Sequence, residues 1–231
     1  LWNRGRFNLR FFWEKPIWWI LMLGQYYYHE ILRKTIIGFG TLFNNIQLRH
    51  QDANGKDISA IKVPLAYGPA QKFLARIEQG KTNERDIAIT LPRIAFEIQT
   101  LSYDTTRKLN RVTKIRKTST KGASKLDSQY MPVPYNMDFE LFVMAKNSDD
   151  ALQIVEQILP FFQPDYTVTL NDNSTMGTTR DVPIVLTNVG YEDSYEGDFV
   201  TRRSIIYTLS FTAKFYLYGP VTDQKVIKTV Q

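Results

Sequence analysis

Four carboxylates fall within one short stretch of this chain: Glu192, Asp193, Glu196 and Asp198. Clustered oxygens of this kind suit a hard cation, so a calcium loop is one reading. The spacing fits no EF-hand, because Gly197 stands between Glu196 and Asp198 and no downstream glutamate closes a site. A solvated acidic connector between two strands accounts for them more simply. Arg202 and Arg203 follow closely, and within a hairpin they would pair with Glu192, Glu196 or Asp198. Nucleophilic chemistry has few candidates. Cysteine is absent and only His29 and His50 are present, which excludes disulfides, thiolate sites and a histidine-rich metal centre. No Gly-x-Ser-x-Gly elbow occurs. His29 opens a helical pattern and His50 ends a strand-like run, positions where an imidazole is usually structural. Gly38 and Gly40 do not make a phosphate loop, which would place glycines before a helix and a Lys-Ser/Thr pair after them. They read instead as sites where a helix approaches a sheet closely. The chain offers no catalytic, cofactor-binding or metal-binding set, and reads as a non-enzyme.

Charge is the stronger signal. The 231 residues carry a net charge of +6, and the excess is local. Arg107, Lys108, Arg111, Lys114, Arg116, Lys117, Lys121 and Lys125 face only Asp104 and Asp127 in one segment. Three readings stand: a solvated loop, a docking element for an acidic protein surface, or a contact to nucleic-acid phosphates, which would be sequence-blind and salt-dependent. Stacking aromatics for single-stranded bases are confined to Tyr103 and Tyr130 at its ends. The second excess, Arg4, Arg6, Arg10 and Lys15 against Glu14, lies among Trp2, Phe7, Phe11, Phe12, Trp13, Trp18 and Trp19. Ile17 to Leu23 is too short for a membrane span, and no small-residue cleavage site follows it. Residues 1–21 thus read as an aromatic arm for a neighbouring subunit, or as residues upstream of a natural start at Met22.

The elements that would position these charges are legible from periodicity. From Asp149 to Pro164 the apolar residues Ala151, Leu152, Ile154, Val155, Ile158 and Leu159 fall on one helical face. Asn147, Ser148 and Asp149 are capping candidates, and Pro160 and Pro164 stop the helix. Strand-like runs flank it at Asn136 to Ala145 and Tyr166 to Leu170. A helix face spans Tyr26 to Phe43, and Pro69 to Gly80 holds a short amphipathic helix. Further strands are expected at Ile46 to Arg49, Ile58 to Tyr67 (with Val63-Pro64 at an edge or end), Ile87 to Tyr103, Val182 to Val189 and Thr201 to Tyr218. Asn171 to Arg180 reads as a polar loop. About seven strands and three helices predict an α+β fold with a mixed, mainly antiparallel sheet. The basic segment 104–132 would leave it as a protruding loop or hairpin. Residues 22–218 form the domain and 219–231 a C-terminal tail.

Several stretches carry a family resemblance. They are Leu42-Phe43-Asn44-Asn45-Ile46-Gln47, Val63-Pro64-Leu65-Ala66-Tyr67, Leu91-Pro92-Arg93-Ile94 and Ser128-Gln129-Tyr130-Met131-Pro132-Val133-Pro134. Asp138-Phe139-Glu140-Leu141-Phe142-Val143, Asp149 through Pro164, and Thr201-Arg202-Arg203-Ser204-Ile205 leading into Tyr207-Thr208-Leu209-Ser210-Phe211 complete the set. Together they resemble the tail sheath stabiliser and completion proteins, or tail terminators, of T-even-like contractile-tailed bacteriophages. Gln153 to Pro160 is the most specific block, and the coverage runs from about Met22 to Tyr218. Residues 1–21 have no counterpart in the family, and some relatives extend further at the C-terminus. The resemblance implies a structural virion protein assembled in the bacterial cytoplasm. It implies a homo-hexameric ring at the head-proximal end of the tail, which caps the tube, holds the last sheath ring extended and meets the neck proteins. Genomic DNA would pass through the lumen without sequence-specific binding, and no membrane is involved. The candidate partner interface comprises Arg107, Lys108, Arg111, Lys114, Arg116, Lys117, Lys121, Lys125, Glu192, Asp193, Glu196, Arg202 and Arg203.

Overall fold

The computed structural model describes residues 26–51, 57–79, 91–119, 125–173, 176–194 and 204–225. The aromatic segment 1–21 lies outside them. The element order is α1 (Ile31–Leu42), β1 (Gln47–Gln51), β2 (Asp57–Lys62), β3 (Leu65–Tyr67), α2 (Ala70–Gln79), β4 (Arg93–Tyr103), β5 (Lys114–Thr118), β6 (Lys125–Tyr130) and β7 (Val133–Ala145). There follow α3 (Ser148–Ile158), a 3-10 turn (Leu159–Phe161), β8 (Asp165–Asn173), β9 (Thr178–Ser194), β10 (Ser204–Leu217) and β11 (Thr222–Lys225). The central sheet has six strands in the order β3-β4-β7-β10-β9-β8, all neighbours antiparallel except β3 and β4. The fold is α+β, with a mixed, mainly antiparallel sheet.

Strand alternation gives this sheet two unlike faces. Pairings Phe211↔Phe139, Leu209↔Leu141 and Ala213↔Met137 put one set of side chains on the core face, together with Ile94 and Phe96 of β4. All of these are buried, and α1 and α3 cover them. Phe39 of α1 is fully buried, and its ring stacks on Phe139 at 4.2 Å between centroids. A Cβ at Gly40 would lie 3.0 Å from the Phe96 ring, and one at Gly38 would lie 3.3 Å from Leu170 Cδ2. The two glycines are what let α1 sit this close, as the sequence suggested.

Other boundaries moved, each for a physical reason. Helix α1 begins at Ile31 rather than Tyr26, because Glu30 adopts a left-handed φ of 59°. The preceding residues are tied elsewhere: His29 Nε2 lies 2.9 Å from the Gly219 carbonyl oxygen, and Tyr26 to Tyr28 remain exposed. The strand expected over Ile58–Tyr67 divides at Val63-Pro64, where proline lacks the N–H a ladder needs. Its first half pairs with β1 and its second with β4. Strand β9 runs to Ser194, so Glu192 belongs to a strand opposite Ile206 rather than to a connector. The apolar ladder of β10 carries the pairing past Glu192 and Asp193. At the other end β8 and β9 take up most of the expected Asn171–Arg180 loop, leaving a turn with Gly177 at φ 57°. Asn147 occupies the N-cap of α3 without a capping side-chain bond, while Asp149 and Asp150 sit in the first turn, where they suit the helix dipole.

Candidate functional site

The basic segment is built around a three-stranded sheet, β11-β6-β5, separate from the central one. Pairing of β5 with β6 makes it a hairpin, and β11 adds the third strand through Thr222↔Ser128 and Asp223↔Asp127. Ser128 and Thr222 reinforce that register, their hydroxyls lying 2.8 Å apart. Gln129 Nε2 donates to the Gly219 carbonyl at 2.7 Å, the oxygen His29 also meets, which ties the hairpin to the start of α1.

The eight cations of the segment are not equivalent. Arg107 is a clamp: Nε lies 2.7 Å from Asp104 Oδ2, and Nη2 donates to Asn136 Oδ1 at 2.7 Å and the Tyr135 carbonyl at 3.1 Å. Its guanidinium also lies over the Tyr216 ring, at 5.0 Å from the centroid. Lys114 is spent on the Tyr130 ring, at 4.5 Å. Lys117 Nζ donates to the Met176 carbonyl at 2.8 Å, joining the hairpin to the β8–β9 turn. Lys108, Arg111, Arg116 and Lys125 are exposed and form no ion pair with a described residue. Lys121 lies outside the described residues. Three of these cations therefore anchor the segment and four face solvent, Arg116 and Lys125 from the hairpin strands and Lys108 and Arg111 from the stretch before β5. Neighbouring Asp127 is buried, with Oδ1 lacking a hydrogen-bond partner, and stands across from Lys117 on one side and Asp223 on the other.

Asp104 sets a pH dependence. The Thr106 hydroxyl donates to its carboxylate at 2.5 Å, and with Arg107 it holds the carboxyl well below its ordinary value of 3.8. A depressed carboxyl stabilises the fold above its unfolded-state pKa, and that contribution is lost as pH falls toward the folded one. Asp104→Asn is therefore expected to flatten the loss of stability below about pH 4, as read by denaturant unfolding across an acid series. Equal slopes for the two proteins would refute the clamp.

The second half of the expected interface comes together less completely. Glu192 is exposed on β9, and Asp193 stands opposite Ile205 in the register. Glu196, Arg202 and Arg203 lie outside the described residues, as does the pairing expected among them. A different set of acids emerges on the face of the central sheet opposite α1 and α3. Glu97 of β4 stands directly opposite Glu140 of β7, and Thr100 opposite Asp138. Like charges opposed across strands are destabilising. Here the Gln99 amide bridges them, donating to Glu97 at 3.0 Å and Glu140 at 2.7 Å. Gln99 shares the face of Glu97 by strand alternation, and the bulge beside it turns Thr100 to that face as well, opposite Asp138. Asp138 accepts from the Thr100 and Thr212 hydroxyls. The sequence signal was the interleaving of polar with apolar residues, Glu97 and Gln99 in one strand and Asp138 and Glu140 in the other. The two strands are remote in the chain, so the opposition itself was invisible.

Elsewhere, a polar cleft of about 590 Å³ is lined by Asn45, Gln47, Arg49, Gln153 and Gln157. Its glutamines are structural: Gln153 bonds both the N–H and the carbonyl of Arg49, and Gln157 the Gln47 carbonyl. An apolar groove of about 400 Å³ lies beside it, lined by Phe43, Phe161, Phe162 and Tyr166 among others. Among the described residues no group of three or more His, Asp or Glu side chains could hold a metal ion.

Comparison with known proteins gives a consistent result. The family model for the T4-like virus Myoviridae tail sheath stabiliser matches residues 26–231. The tail completion protein gp15 of Enterobacteria phage T4 is 33% identical over 205 residues, covering 86% of this chain and 74% of the relative.

Proposed function

The chain belongs to the T4-like tail sheath stabiliser family, and we propose that it acts as a hexameric ring ending the tail tube at its head-proximal end. In that position it would hold the last sheath ring extended and present a second surface to the neck proteins, with genomic DNA passing through the lumen. The work is binding, not catalysis. The observation that carries this reading is the family match over nearly the whole described chain. The basic segment adds to it: Arg116 and Lys125 stand exposed on a clamped hairpin, with Lys108 and Arg111 on the stretch that leads into it, and a docking element held in place costs little ordering entropy on binding. A closed ring joins two different surfaces of each subunit head to tail, and the charge of this chain is segregated as such a contact requires.

The test has two parts. Light scattering and negative-stain imaging of the purified chain, without DNA, are expected to give six-fold rings. Added to isolated tails with extended sheath, the protein is expected to bind one end and slow contraction. A chain that neither forms rings nor protects the sheath would overturn the reading, and tight DNA binding with a steep salt slope would replace it with a nucleic-acid function.

A further inference from the structure

We infer that the open face of the central sheet, around Glu97, Asp138 and Glu140, receives the cationic hairpin of a second copy of this chain. The inference rests on the ring reading above and names the two surfaces that would meet. On the first surface no described helix or strand covers the middle of the face. Its ends are occupied, one by Phe73 of α2 packed on Ala95, Phe142 and Ile206, the other by the Arg107 clamp on Tyr216. Between them lie half-buried Glu97, Asp138 and Glu140 among the hydroxyls of Thr100, Thr208, Ser210 and Thr212. Arg93 is spent over the Phe73 ring, and neither it nor Lys214 forms an ion pair with these acids.

The opposed Glu97 and Glu140 are a local repulsion that the fold tolerates and that an arriving cation would relieve. A metal ion is the less suitable answer, since the described carboxylates make no metal-holding group. The second surface supplies what is missing. Lys108, Arg111, Arg116 and Lys125 stand exposed and form no ion pair with a described residue, Arg116 and Lys125 on the paired strands β5 and β6 and Lys108 and Arg111 on the segment that leads into β5. The hairpin cannot swing onto the face of its own chain, because Lys117, Gln129 and Arg107 tie it to the β8–β9 turn, Gly219 and β7. Each chain thus carries one cationic surface and one acidic surface held apart, the arrangement that drives head-to-tail association instead of self-closure.

The test is a charge exchange. One variant carries Arg111→Glu and Arg116→Glu, the other Glu97→Lys and Glu140→Lys, and circular dichroism confirms that both fold. Each alone would set like charges against one another at every contact and is expected to associate about tenfold or more weakly than wild type by analytical ultracentrifugation. Mixed in equal amounts, the acidic hairpin of the first meets the basic face of the second, and the unaltered pair is also complementary. The mixture is therefore expected to regain wild-type assembly as rings of alternating subunits. Should either charge reversal prevent folding, Arg111→Ser with Arg116→Ser and Glu140→Gln replace them, each expected to weaken assembly and its salt dependence. Variants that assemble like wild type would overturn the contact while leaving the ring intact. A wild-type chain that stays monomeric yet protects the sheath would overturn the self-contact and leave the sheath function standing.

Discussion

Phe39→Ala is expected to lower the unfolding free energy by about 3–5 kcal/mol, the usual cost of deleting a fully enclosed aromatic ring. Phe39 has 0% exposure and contacts four other rings. It stacks on Phe139 at an interplanar angle of 5°, and its edges meet Phe43, Phe96 and Phe211 with centroids 5.0–5.4 Å away. Such aromatic geometry adds to the burial of apolar area. Collapse around the cavity is hindered, because Gly40 already brings α1 against Phe96 and the other rings stand on strands whose register is set. At 2–4 °C per kcal/mol for a domain of this size, the melting temperature is expected to fall by about 10 °C. Denaturant curves would show a lower midpoint at an unchanged slope. A loss below about 1 kcal/mol would mean that the helix repacks freely on the sheet, contrary to the interlocked rings.

Ile154→Asp is expected to cost a comparable amount, about 3–5 kcal/mol near neutral pH, because it leaves an uncompensated charge in the core. Ile154 has 0% exposure on α3, between the central sheet and β1. Burial would raise the pKa of the introduced carboxyl, so the penalty appears above the ordinary carboxylate range and eases as pH falls into it. Unfolding measured at about pH 4 and pH 7 should thus show a smaller gap from wild type at the lower pH. Ile154→Asn, which cannot ionise, should show no such change. Loss of α3 would also free β1, whose backbone it holds through Gln153 and Gln157. An equal gap at both pH values would place the side chain in contact with water.

Much of this fold was legible because its signals are local. The helix at 148–158 and the alternation of β10 depend on spacing within single segments, and both formed as expected. The glycines of α1 could be assigned to packing because no phosphate-loop residues accompany them. Where local signals failed, a distant partner had overruled them. Tyr26 to Tyr28 had the right spacing to extend α1, but His29 is held by Gly219 from the far end of the chain. Residues 191–194 looked like a connector, and the ladder of β10 drew them into a strand.

By itself, then, the sequence determined the α+β class, the family and the concentration of positive charge between Arg107 and Lys125. Periodicity, residue type and short motifs carry that information within a few turns of chain. Only the tertiary structure decided how the charge is used. It engaged Arg107, Lys114 and Lys117 in contacts with neighbouring elements, left Lys108, Arg111, Arg116 and Lys125 facing solvent, and set Glu97 against Glu140 on the sheet face opposite α1 and α3. Those outcomes depend on the register between strands far apart in the chain. A one-residue slip sends every side chain of a strand to its other face, so no local pattern could have assigned them.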